Sequence, residues 1–211
     1  MLCALKTHAQ QNDAGGSAAI QVQNKINQTF TLSLFTQAAL QQNFTEPGYW
    51  LADIGMRIYF TDNWYGGLNF RHAQIYQVNN TFAPRNYLYG ECGYTKRVEA
   101  FSLNWRGRFI SKSYGIPLLT ETQYKEDKHY LRNRILVRYD INYHHDVFGS
   151  VESTYRLDYT QKTERLRYVL GYGYTFNQNH KIQCTYSISQ EQNREAPDTD
   201  YNTGITYIYK F

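Results

Sequence analysis

The sequence predicts an all-β fold: one closed, antiparallel, up-and-down transmembrane β-barrel of about ten strands, with twelve as the alternative. Three observations predict it. The chain is polar overall, with a mean hydropathy of −0.65, yet 17% of its residues are aromatic and 21 of them are tyrosine. Rings seek burial or an interface, so a surplus of them in a polar chain fits a barrel whose strands alternate lipid-facing and polar residues. No stretch approaches the roughly 18 consecutive apolar residues of a membrane-spanning helix, which excludes a helical membrane protein. The second observation is period-two alternation over runs of about 10–14 residues. The third is an alternation of tight and longer connections, as expected for a barrel with short turns at one end and loops at the other.

Taken in order, the strands are predicted over 29–40, 49–60, 64–76, 86–95, 100–111, 129–141, 147–160, 164–176, 180–191 and 201–211. A short extended piece, 18–24, precedes them and is expected to be a partial strand or a lumen plug, because both termini at one end require an even count. Clusters of turn residues separate the runs. Thr61–Asn63, Lys96–Glu99, Asn142–Asp146 and Asn177–Asn179 are the tight turns. Gln41–Gly48, Gln77–Arg85, Ser111–Lys128 and Gln192–Asp200 are the longer connections, and Gln161–Thr163 is a short member of that set. One domain is expected: 1–9 as the remnant of a signal peptide, 10–28 as an N-terminal segment, and 29–211 as the barrel.

The faces follow from parity. In the strand from 100, Phe101, Leu103, Trp105 and Phe109 oppose Ser102, Asn104, Arg106 and Arg108. In the next, Asn133, Ile135, Val137 and Tyr139 oppose Arg132, Arg134, Leu136 and Arg138. Further on, Leu166, Tyr168, Leu170, Tyr172 and Tyr174 oppose Arg165, Arg167, Val169, Gly171 and Gly173. Ile182, Cys184, Tyr186 and Ile188 oppose Lys181, Gln183, Thr185 and Glu191, while Ile205, Tyr207, Tyr209 and Phe211 share the last apolar face. A soluble barrel with its apolar face inside is the competing assignment. Rings at both strand ends, as with Trp50 and Phe60, favour two interfacial girdles instead. The polar face carries arginine rather than lysine, beside glycines, which suits a crowded lumen of ion pairs.

The lumen is therefore expected to be lined by Arg57, Arg71, Arg106, Arg108, Arg132 and Arg134, continuing with Arg138, Arg156, Arg165 and Arg167. The carboxylates expected among them are Glu91, Glu152, Asp158 and Glu191, with Asp53 and Asp140 on the same face. Each arginine on the lipid side at the midplane would cost about 2–4 kcal/mol, so the register is strongly specified. A ladder of ion pairs is one reading of this set, and a path that attracts anions is the other.

The remaining chemistry is unspecific. Met1 to Gln11 resembles the end of a secretory signal, with Thr7-His8-Ala9 as a small-x-small cleavage site. Cys92 and Cys184 fall in strands that are not neighbours, so neither a disulfide nor a metal site is expected. A net charge of +4 without a basic run or recognition motif gives no case for nucleic acid. Asp127 and His129, beside Glu121 and Glu126, could form an acid–histidine pair at the outer rim, although a solvated loop explains them as well. His144-His145-Asp146 falls in a predicted tight turn, and His72 on the outward face. The final strand ends on Phe211 with Tyr209 and Tyr207 behind it, which resembles the terminal-aromatic signature read by the barrel assembly machinery. Physically, an apolar terminal strand with a bare edge can pair by β-augmentation.

With the strands laid out, the chain resembles the uncharacterised family of Bacteroidota outer-membrane proteins catalogued as domain of unknown function 2490. The features that carry the likeness are Gly67-Leu68-Asn69-Phe70-Arg71, Asn104-Trp105-Arg106-Gly107-Arg108, Leu131-Arg132-Asn133-Arg134 and Arg165-Leu166-Arg167-Tyr168. The ending Gly204 to Phe211 joins them. The resemblance implies a protein of the cell outer membrane of a Gram-negative bacterium, and it carries over no site residues. A structural or accessory barrel, or a narrow porin-like pore, is expected, without catalytic activity, cofactor or metal. The rival is an outer-membrane hydrolase with its Asp/His site at the outer rim. Expected partners are outer-membrane lipids, the assembly machinery and an outer-membrane protein, and not nucleic acid.

Overall fold

The computed structural model describes residues 12–77, 79–113, 128–158, 162–193 and 197–211. Eleven strands close into one barrel, and no described residue is helical. They are β1 (Asn12–Lys25), β2 (Phe30–Gln41), β3 (Glu46–Tyr59), β4 (Trp64–Tyr76), β5 (Phe82–Val98) and β6 (Phe101–Ser113). β7 (Lys128–Asp140), β8 (His145–Arg156), β9 (Thr163–Thr175), β10 (His180–Glu191) and β11 (Thr199–Lys210) complete it. Each strand pairs antiparallel with its chain neighbours, and β1 pairs parallel with β11 to close the ring.

The all-β closed barrel is the one expected, with one strand more than ten. In place of a partial strand or plug at 18–24, β1 is a full strand of 14 residues. Its direction follows from its partners: Asn12 lies beside Thr199 and Gln23 beside Lys210. An odd count places Asn12 at the long-loop end and Phe211 at the short-turn end, so both described chain ends do not share one rim. The edge of β11, expected to be bare, is occupied by β1, and the Phe211 N–H donates to the Gln23 carbonyl at 3.0 Å.

Four of the five tight turns use one device. Asn27, Asn142 and Asn177 accept from the backbone N–H groups two and three residues on, at 2.8–3.1 Å, and Thr61 does so through Oγ1 at 3.0 and 3.3 Å. Such side chains mimic a backbone turn. The fifth holds Glu99 at φ 52°. The connection expected over 41–48 is only 42–45, because β2 and β3 pair up to Gln41 and Glu46. Gln42, Asn43 and Phe44 take left-handed conformations there.

Two faces result. Leu34, Ile54, Leu68, Ile135, Val151, Leu170 and Ile205 stand exposed on the outside. Rings pack at both ends of this aliphatic band. Trp64 meets Tyr94 and Trp105, Phe101 meets Tyr139, and Tyr209 meets Phe211 near the short turns. Trp50 meets His72, and Tyr76 meets Phe82, near the long loops. No large side chain among the described residues is fully buried, and the buried apolar residues are few, with Leu51, Tyr65, Tyr89, Ile110 and Ile208 the large ones. Eleven strands about 4.8 Å apart and tilted near 40° give a backbone radius of roughly 11 Å.

Candidate functional site

The polar side chains converge on the concave side. Arg57 on β3 bonds Glu91 on β5 at 3.0 Å, and Arg106 on β6 bonds Glu152 on β8 at 3.0 Å. Strands two apart can exchange side-chain bonds this way only across the inside of a curved sheet.

Strand register builds the site in two neighbouring rows. In one, Arg106 lies opposite Arg134, Arg134 opposite Glu152, and Glu152 opposite Arg167. In the other, Glu91 lies opposite Arg108 and Arg108 opposite Arg132. Glu91 accepts from Arg108 at 2.7 Å as well as from Arg57. Glu152 accepts from Arg106 and pairs with Arg132 at 3.5 Å. Arg134 reaches a neutral acceptor, Asn104 Oδ1 at 3.2 Å, and Arg167 reaches Ser187 Oγ at 3.2 Å. This middle band therefore sets Arg57, Arg106, Arg108, Arg132, Arg134 and Arg167 against two carboxylates, Glu91 and Glu152.

Smaller clusters lie above and below the band. Toward the long loops, Arg71 donates through Nη2 and Nε to Asp53 at 2.7 and 2.9 Å, and the Tyr89 hydroxyl donates to the same carboxylate. Arg156 pairs with Asp158, and Arg165 approaches Glu191 and Asp200 at 3.6 and 3.7 Å. Toward the short turns, Asp146 holds both Lys181 and Arg138, the latter at 3.5 Å. At the same rim, a pocket of about 510 Å³ lies between the β1–β2 and β3–β4 turns, lined by Lys25, Thr31, Tyr59 and Asp62 among others. Asp140 bonds the exposed Arg97 at the rim, at 2.8 Å.

The expected lumen set omits several interior groups that strand parity does reach. Asp146, only 4% exposed, belongs to β8 rather than to a turn; counting back by twos from Glu152 through Phe148 reaches it. Tyr65 and Tyr89 are buried inside, under Arg57 and Arg108 at 4.3 and 4.5 Å. Phe148 lies under Arg138 at 5.3 Å. These rings serve as platforms for guanidinium groups.

The remaining candidates are scattered. His129 points outward and stacks on Phe109 at 5.8 Å, while Glu121, Glu126 and Asp127 lie outside the described residues, as do residues 1–9 with Cys3. His72 bonds Asn86 Oδ1 at 2.8 Å on the outer surface. His145 and His180 bond the hydroxyls of Tyr172 and Tyr207 in the ring belt. Cys92 and Cys184 are free and exposed. Among the described residues no group of three or more His, Cys, Asp or Glu is placed to hold a metal ion.

Comparison with known proteins places this geometry among porin-like barrels. A family model described as "Protein of unknown function (DUF2490)" matches residues 18–201. No curated protein sequence matches the chain. Among solved structures, the NanC porin superposes with a TM-score of 0.58 at 13% identity, over 94% of this chain and 99% of that one. The β-domain of the Bordetella autotransporter BrkA superposes with a TM-score of 0.50 at 9% identity, over 88% of this chain and 85% of that one. At these identities the likeness is one of fold.

Proposed function

Because the chain belongs to the family described as Protein of unknown function (DUF2490), whose description names no activity, we propose a function from the barrel itself. The protein sits in the outer membrane of a Gram-negative bacterium of the Bacteroidota type and forms a narrow, positively charged passage for small anions. It carries no catalytic activity. The short turns face the periplasm and the long connections face outward. Tyr207, Tyr209 and Phe211 on the terminal strand serve the assembly machinery as a recognition handle. The outer surface supports the location: an aliphatic band between two sets of rings is the arrangement of a barrel that spans a bilayer.

One observation carries the functional reading, the middle band in which six guanidinium groups face two carboxylates. A ladder built only to fill the lumen would balance its charges, since an unpaired buried charge is costly. An excess of one sign sets the sign of the ion that a pore admits. Arginine side chains from opposite walls of a barrel of roughly 11 Å radius leave a narrow gap, so the passage conducts weakly.

Single-channel recording of the refolded protein in planar bilayers tests this. A small conductance that favours chloride over potassium is expected, and Arg134→Gln with Arg167→Gln lowers the preference. A cation-selective pore, or a barrel that never conducts, overturns the reading.

A further inference from the structure

We propose that the guanidinium groups around Glu152 form a specific binding site for a small oxyanion carrying at least two negative charges, of the carboxylate or phosphate class. The site deepens the passage described above and rests on that reading for how its ligand arrives.

Register is the first ground. Arg106 and Arg134 are directly opposed on neighbouring strands, as are Arg108 and Arg132. Like charges placed directly opposite destabilise a strand pair. Two such pairs side by side persist only if something negative lies between them. Glu152 supplies one charge, and its two oxygens are taken by Arg106 at 3.0 Å and Arg132 at 3.5 Å. Arg134 and Arg167 flank Glu152 in direct register, yet among the described residues neither has a carboxylate within ion-pair distance.

Unused donors are the second ground. The Nε–H groups of Arg132 and Arg134 are buried and meet no acceptor. A buried donor without a partner costs free energy, and a charged one costs more. An oxyanion among Arg106, Arg132, Arg134 and Arg167 would offer several lone pairs at once, and the planar fork of arginine matches carboxylate and phosphate geometry. Chloride offers the charge without that geometry. Glu152 then has a double part: it holds the arginines in place, and it competes with the ligand.

Thermal unfolding of the refolded full chain in detergent, followed by the gel mobility of unheated samples, reads the site. Citrate and inorganic phosphate are titrated separately at constant ionic strength set with sodium chloride. Saturable stabilisation is expected from at least one of them and not from additional chloride. Arg134→Gln and Arg167→Gln should each weaken it about tenfold or more, the loss of one charge-assisted fork. Arg97→Gln at the rim should leave it unchanged. Glu152→Gln should tighten it, an effect that a purely structural carboxylate would not give. If Arg134→Gln does not refold, Arg134→Lys keeps the charge, removes the fork, and should also weaken binding. Absence of saturation with both oxyanions, or saturation that both variants leave untouched, overturns the site. Anion-selective conductance without saturable binding removes the site and keeps the passage. Saturable binding without conductance keeps the site and removes the passage.

Discussion

Gly93 and Gly171 mark where two rings fill the interior. A Cβ on Gly93 would stand 2.2 Å from the Tyr65 ring, and one on Gly171 would stand 2.1 Å from Phe148. Neither ring was assigned to the inside by residue type, because an aromatic side chain serves a girdle and an arginine platform equally well. Arginine leaves no such choice, since about 2–4 kcal/mol separates its two faces at mid-membrane. That is why the arginines were legible one by one while the interior tyrosines were not. The same asymmetry gives a prediction. Leu170 and Tyr139 stand 68% and 40% exposed on the apolar face, whereas Thr185 faces inward with its hydroxyl toward the Gly204 carbonyl. Leu170→Arg, mid-strand, should cost about 2–4 kcal/mol in refolding into lipid vesicles, Tyr139→Arg, in the ring belt, about 1 kcal/mol or less, and Thr185→Arg markedly less than Leu170→Arg. A loss at Thr185 equal to or greater than that at Leu170 would mean that the two faces are wrongly assigned.

Strand β1 shows what alternation cannot reveal. Its sequence from Asp13 to Ile20 is Gly, Ala and Ser apart from its two ends, residues with little to pack on a pleated surface. The neighbouring turn was equally hidden, although Asn27 has the same capping role as Asn142 and Asn177, whose turns the sequence does expose. Strand β1 is held by its place between two partners. It pairs antiparallel with β2 over Gly16–Lys25 and parallel with β11 over Asn12–Gln23, and among the described residues no ion pair ties it to either. Parallel pairing is slightly weaker per residue, so this junction should be the first to open. Ala18 and Ile205 are directly aligned across it on the outer face. With the native cysteines replaced by Ser, Ala18→Cys with Ile205→Cys should form a disulfide on mild oxidation. The oxidised barrel should resist heating better, by roughly 2–4 kcal/mol. No crosslink in the folded, unheated band would place β1 elsewhere.

At the scale of the molecule, closure and the sense of the two faces could be read from the chain, because the alternation that carries them repeats from strand to strand. The strand number could not. Evenness was inferred from the habit of placing both ends of a barrel chain at one rim, and one parallel junction is enough to break it. The consequence concerns orientation as well as counting. Asp13 accepts from the Asn43 N–H at 3.1 Å and so belongs with the β2–β3 connection at the long-loop rim, whereas Asn179 lies in a turn at the opposite rim. If the long connections face outward, a cysteine at 13 is reachable from the cell surface and one at 179 is not. In a chain whose native cysteines are replaced by Ser, a membrane-impermeant maleimide added to intact cells should label Asp13→Cys. Asn179→Cys should react only after the outer membrane is opened. A ten-stranded barrel with the N-terminal segment folded into its lumen would bring position 13 from the other rim, and both sites would then stay unlabelled until lysis. Labelling of Asn179→Cys alone in intact cells would keep the barrel and invert its orientation. Only the first pattern requires β1 to cross the membrane beside β11.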